Sequence, residues 1–182
     1  MKNRRTVALG LLGAALVPLT GCMSTPLRPV NADGTYCYRI GKRPRNKLTC
    51  TPQPVPPLAV EADIKRFEAS ADALTLYVVR MRWGDTRDPA VVSFDGRSRV
   101  TTIPESLIRV RLKPGEHRLS VEWDGRSTQH VVSGAVGEVR FVELVGWFWS
   151  WGGEFNWEAG SPEGSRSRAK SSKLIADLDM RA

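Results

Sequence analysis

Apolar residues recur at two different spacings along this chain, and the change between them falls near Leu74. Beyond it the period is strand-like. Leu74 to Met81 is an apolar, β-branched run, and Val91-Val92-Ser93-Phe94 leads into Asp95-Gly96, a hairpin-type pair, followed by Arg97 to Ile103. Ile108, Val110 and Leu112 alternate with Arg109 and Arg111, which marks a half-buried strand. After the turn at Pro114-Gly115, Leu119, Val121 and Trp123 alternate with Arg118, Ser120 and Glu122, and Asp124-Gly125 leads into Ser127 to Val132. Val139 to Val145 is apolar at nearly every position and reads as an interior strand. Gly160 to Ser172 is rich in Gly, Ser and charge and reads as a mobile loop, after which Leu174 to Leu178 forms a closing strand. This pattern predicts a mainly β protein, an antiparallel β-sandwich of about seven or eight strands over residues 73–180.

Ahead of Leu74 the spacing is helical over a short stretch. Val60, Ile64 and Phe67, with Glu61 and Lys65 as an i,i+4 pair, predict one short amphipathic helix within residues 59–72. Pro52, Pro54, Pro56 and Pro57 make a stiff spacer before it. Tyr36 to Ile40 and Asn46 to Cys50 read as two extended arms about a basic turn, so residues 36–58 form a hairpin and Pro-rich spacer. Residues 22–35 carry little periodic apolar content and read as a tether.

Residues 1–21 have the zones of an export signal. Lys2, Arg4 and Arg5 supply a positive start, and Val7 to Leu19 an apolar segment too short to span a bilayer. Leu19-Thr20-Gly21-Cys22 then resembles the bacterial lipobox. That resemblance implies diacylglycerol and further acylation (palmitate) on Cys22, cleavage just before it, and a lipid anchor. It also implies the outer membrane, facing the periplasm, because Met23 is not the aspartate associated with inner-membrane retention. The competing reading is an ordinary secretory leader with an incidental cysteine. Cleavage would remove three basic residues and no acid, taking the formal charge from +8 to +5. In an exported protein that modest excess points to anionic lipid or wall polymer rather than nucleic acid.

With Cys22 lipidated, Cys37 and Cys50 remain as an even pair in an oxidising compartment, which predicts a disulfide closing the basic turn. A metal site would need more ligands, and His117 and His130 lack ligand spacing, so neither metal nor cofactor is expected.

Four stretches carry a second resemblance: Ala73 to Arg80, Phe94-Asp95-Gly96, Leu112 to Leu119 with its Pro-Gly-Glu, and Gly137 to Val142. Together they resemble a β-sandwich domain of unknown function found in bacterial lipoproteins, similar also to Pro-Gly-Glu surface-domain sandwiches. The resemblance covers residues 74–178 and implies no catalytic residue.

Chemistry is sparse elsewhere. No phosphate loop, nucleophile elbow or zinc-binding His-Glu pair occurs in the sequence. Asp85, Asp88, Glu105, Glu143, Glu154 and Glu158 are scattered, and His117 and His130 read as structural. Lys42, Arg43, Arg45 and Lys47 form either a cationic knob for lipid phosphates or a solvated loop. The unusual cluster is Trp147, Trp149 and Trp151, with Trp157 on a return arm. These rings either form a ridge for glycan or a bilayer interface, or plug the sandwich beneath the helix. The sequence thus predicts a lipid-anchored, non-enzymatic envelope protein, a structural or interaction module with an envelope protein or glycan as partner. The alternative is a periplasmic binder of wall glycan or glycolipid that uses the tryptophan ridge and basic loops.

Overall fold

The computed structural model describes residues 27–40, 47–81, 88–149 and 152–182, and these are mainly β. The strands are β1 (Cys37–Ile40), β2 (Lys47–Cys50), β3 (Leu74–Arg80), β4 (Ala90–Phe94), β5 (Ser98–Thr102) and β6 (Ser106–Leu112). They continue with β7 (Gly115–Trp123), β8 (Arg126–Gly134), β9 (Val139–Trp149), β10 (Gly152–Glu158) and β11 (Lys173–Met180). Two helices, α1 (Leu58–Ile64) and α2 (Pro162–Ser171), complete the described elements.

The described strands make three sheets: a β1-β2 hairpin, a five-stranded sheet ordered β10-β9-β3-β6-β11, and a four-stranded sheet ordered β5-β4-β7-β8. The four-stranded sheet is antiparallel throughout. The larger sheet is mixed, because β9 runs parallel to β3 and β11 parallel to β6. The described residues therefore hold eleven strands, nine of them over residues 73–180 with two parallel pairings, where seven or eight antiparallel strands were expected. Strand spacing in sequence reveals periodicity but not which distant strand becomes a neighbour, and that information was missing.

β3 shows why its sequence is apolar at almost every position. Leu74, Leu76 and Val78 enter a core shared with Val92, Phe94, Leu119 and Val121 of the four-stranded sheet. Tyr77 and Val79 enter a second core with Ile64, Phe67, Ala169 and Leu174. Both faces are covered, as an interior strand requires. The two Asp-Gly turns behave as their composition predicts. Asp124 and Gly125 both have positive φ, the geometry whose twist suits a two-residue hairpin, and Asp95 and Gly96 share it.

Two local expectations need correction. The first helix ends at Ile64, short of the stretch expected, because Phe67 adopts a φ of 56° and turns its ring edge-on against Tyr77. The ring centroids lie 5.0 Å apart. Residues 160–172 are not a loop, because α2 occupies 162–171. Ser161 caps it by accepting the Gly164 N–H, and Pro162 sits in its first turn. The helix lacks an apolar stripe, so hydrophobic periodicity could not announce it. It is held instead by polar contacts: Glu143, 2 % exposed, accepts from Ser165 Oγ at 2.5 Å and from Arg168 Nη1 at 2.6 Å.

Candidate functional site

A buried cluster of charged groups lies where the N-terminal segment meets the domain. Glu61 on α1 and Lys173 at the start of β11 are both completely buried and form an ion pair at 2.6 Å. Lys65, one helical turn beyond Glu61, adds a second contact at 2.8 Å. Burial lowers the Lys65 ammonium pKa, although its bond to Glu61 opposes the shift. Leu174 N–H also donates to Glu61. Lys173 also reaches the N-terminal segment, where Nζ donates to the carbonyl of Arg28 at 2.9 Å and lies over the Tyr36 ring.

Arg28 is itself paired with Glu105, donates to the Tyr36 hydroxyl at 2.9 Å and lies over the Tyr38 ring. Burial opposes its charge, but the bonds to Tyr36 and Glu105 prevail and its pKa rises. The Tyr36 hydroxyl is also pushed up, chiefly by burial. Tyr36 and Tyr38 close over Ile103 with Val55, so the hairpin and the Pro-rich spacer are packed onto the domain beside the same clamp. Arg28 falls in the stretch the sequence marks as tether, yet it is fastened by both its side chain and its carbonyl. Composition gave no sign of this, since a single Arg among Pro, Ser and Thr reads as solvated.

The second region is the β9-β10 ribbon. Among the described residues β3 pairs with β9 as far as Leu144, and Val145 to Trp149 continue in register with Gly152 to Asn156. The ribbon leans on the β7-β8 turn, where the Gly153 carbonyl accepts from Trp123 Nε1 at 3.0 Å and from Arg126 Nη2 at 2.6 Å. Beneath it Phe155 lies edge-on to Trp123 and under the guanidinium of Arg80. Trp147 emerges from this support and is 39 % exposed.

The predicted tryptophans are therefore not one group. Trp157 is half-buried against the main core and stacks with His130, while Trp147 faces solvent. Trp149 has its backbone in β9, and Trp151 lies outside the described residues. The expected position of aromatic rings beneath the first helix is taken instead by Phe67, Tyr77 and Phe141. Of the basic turn, Lys42, Arg43 and Arg45 lie outside the described residues and Lys47 contributes backbone to β2. Cys37 and Cys50 stand opposite one another in the β1-β2 register and form the predicted disulfide. Leu19, Thr20, Gly21 and Cys22 lie outside the described residues.

His117 bridges two turns: Nε2–H donates to the Lys113 carbonyl and Nδ1 pairs with Asp95, each at 2.8 Å. Among the described residues no group of three or more His, Cys, Asp or Glu is placed to hold a metal ion, and no helix is long and apolar enough to cross a membrane. No family model and no curated protein matches the chain.

Proposed function

We propose that this protein is a lipid-anchored, non-enzymatic module of the bacterial cell envelope, held through Cys22 to the outer membrane on its periplasmic side. The observation that carries the reading is Leu19-Thr20-Gly21-Cys22 at the end of a basic and then apolar leader. In this reading the two larger sheets are the layers of a β-sandwich, of the kind found in lipoprotein domains without a catalytic residue. The shared apolar core of the two sheets supports that architecture.

The clamp on Arg28 supports an anchoring role in a specific way. A tether that began only at the domain's first strand would let the domain swing freely. Fastening Arg28 leaves five residues between Cys22 and Arg28, six Cα steps that span at most about 22 Å in any conformation. The module is thereby kept against the bilayer, suited to contacts with envelope components near the membrane surface.

Fractionation and intact-mass analysis test the reading together. The wild type is expected in the outer-membrane fraction with lipid mass on Cys22, and Cys22→Ser is expected to lose both. Wild-type protein without lipid mass overturns it. Crosslinking in cells from exposed positions would then identify the partner without assuming its class.

A further inference from the structure

The register places the Arg28 clamp and the Trp147 ribbon at the same end of the five-stranded sheet. Arg80 of β3 stands opposite Leu144 of β9, Val79 opposite Leu107, and Ser106 of β6 opposite Lys173 of β11. One row across the sheet therefore ends in Leu144, Arg80, Ser106 and Lys173. Just past this row on the β11 side, Lys173 and Glu105 hold Arg28. Past it on the other side, β9 continues for five more residues to Trp149, about 17 Å of extended chain.

We propose that the Trp147 end of the β9-β10 ribbon rests in the interfacial layer of the bilayer to which Cys22 is attached, giving the protein a second membrane contact and a fixed orientation. This rests on the lipid-anchor reading and adds a geometry to it. The clamp on β11 and Trp147 on β9 are separated by three strand spacings, roughly 14 Å. A lipid within about 22 Å of Arg28 brings that whole end of the sheet to the membrane surface.

The chemistry of the ribbon suits that depth. An indole exposed at a ribbon end gains by leaving water for the headgroup region, where its apolar body and N–H are both accommodated. Arg126, exposed beside the far part of the ribbon where it donates to Gly153 and with its guanidinium over Trp123, places positive charge beside anionic headgroups. The opposite end of the sheet carries the β8-β9 turn, fixed by the Gly137 and Thr75 backbone bonds to Ala73 and Glu138, with Val136 exposed at it. That turn should face away from the bilayer.

The test uses the full lipidated protein in vesicles of phosphatidylethanolamine and phosphatidylglycerol, with a nitroxide on Trp147→Cys, on Glu154→Cys or on Val136→Cys. Glu154 stands opposite Trp147 in the ribbon and is exposed, so it reports the same depth if Trp147→Cys folds poorly. Labels at 147 and 154 are expected to collide with lipid-soluble oxygen and to be shielded from a water-soluble nickel complex, with the label at 136 showing the reverse. Equal access of nickel to all three positions, with lipid present on Cys22, overturns the proposal while leaving the anchor standing. Absence of lipid mass on Cys22 removes the anchor, and the orientation with it. Shielding at 147 that requires purified sacculi rather than lipid assigns the ribbon to glycan and also overturns it.

Discussion

The buried Glu61-Lys173 pair offers a test whose outcome depends on an asymmetry in its surroundings. Both side chains are fully buried, but Glu61 has a second cation in Lys65 and a main-chain donor in Leu174, whereas Lys173 has besides Glu61 only neutral partners among the described contacts, the Arg28 carbonyl and the Tyr36 ring. Removing the acid therefore leaves two ammonium groups without their counter-ion. Removing Lys173 leaves a carboxylate that keeps Lys65. Stranding a buried charge costs about 3–5 kcal/mol, and Glu61→Leu belongs in that range. Lys173→Met should cost roughly 1–3 kcal/mol, the loss of a charged hydrogen bond whose partner retains others. The double variant, with no stranded partner at position 173, should recover part of the loss caused by Glu61→Leu. Urea unfolding followed by circular dichroism measures all three. Lys173→Met also frees the Arg28 carbonyl, so hydrogen exchange of the amides around Arg28 should quicken in this variant before that of the rest of the domain. Equal costs for the two single variants, or a cost below about 0.5 kcal/mol for Glu61→Leu, would refute the argument that Glu61 is the centre of the clamp.

Gly160→Ala should destabilise by about 1–3 kcal/mol, because a Cβ there would meet Glu143 Oε1 at 2.2 Å and Ser165 Oγ at 2.3 Å; thermal unfolding checks it. Reduction of Cys37-Cys50, or replacement of both by Ala, should lower stability by at most about 3 kcal/mol and leave the two large sheets folded, as amide exchange of β3 and β6 would show. Burial favours the protonated Asp95 carboxyl, but His117, the Arg118 N–H and nearby Arg97 prevail and lower its pKa from 3.8. A lowered folded value gives stability that is present above the unfolded pKa and is lost as pH falls through the folded one, so the loss begins near pH 3.8. Asp95→Asn should flatten that acid limb of the unfolding-midpoint profile.

What the sequence determined by itself is what local chemistry decides. Alternation of Ile108, Val110 and Leu112 with Arg109 and Arg111 marks a strand whatever lies beside it, and Asp124-Gly125 makes a hairpin because few other pairs accept positive φ twice. Cys37 and Cys50 could be paired by elimination once Cys22 was read as the residue set aside for lipid. The tertiary structure decided everything that depends on a neighbour distant in the chain. β3 lies beside β9 and β11 beside β6 in parallel, and no periodicity encodes which strand will be adjacent. α2 exists because Glu143, buried on β9, accepts from Ser165 and Arg168, a contact that substitutes for the apolar stripe a sequence reader looks for. The tryptophans divide for the same reason. Trp157 and Trp147 lie on paired strands, but Trp157, opposite Leu144, is on the face that meets the core and His130, while Trp147, three residues beyond Leu144, is on the other face and past the last described pairing with β3.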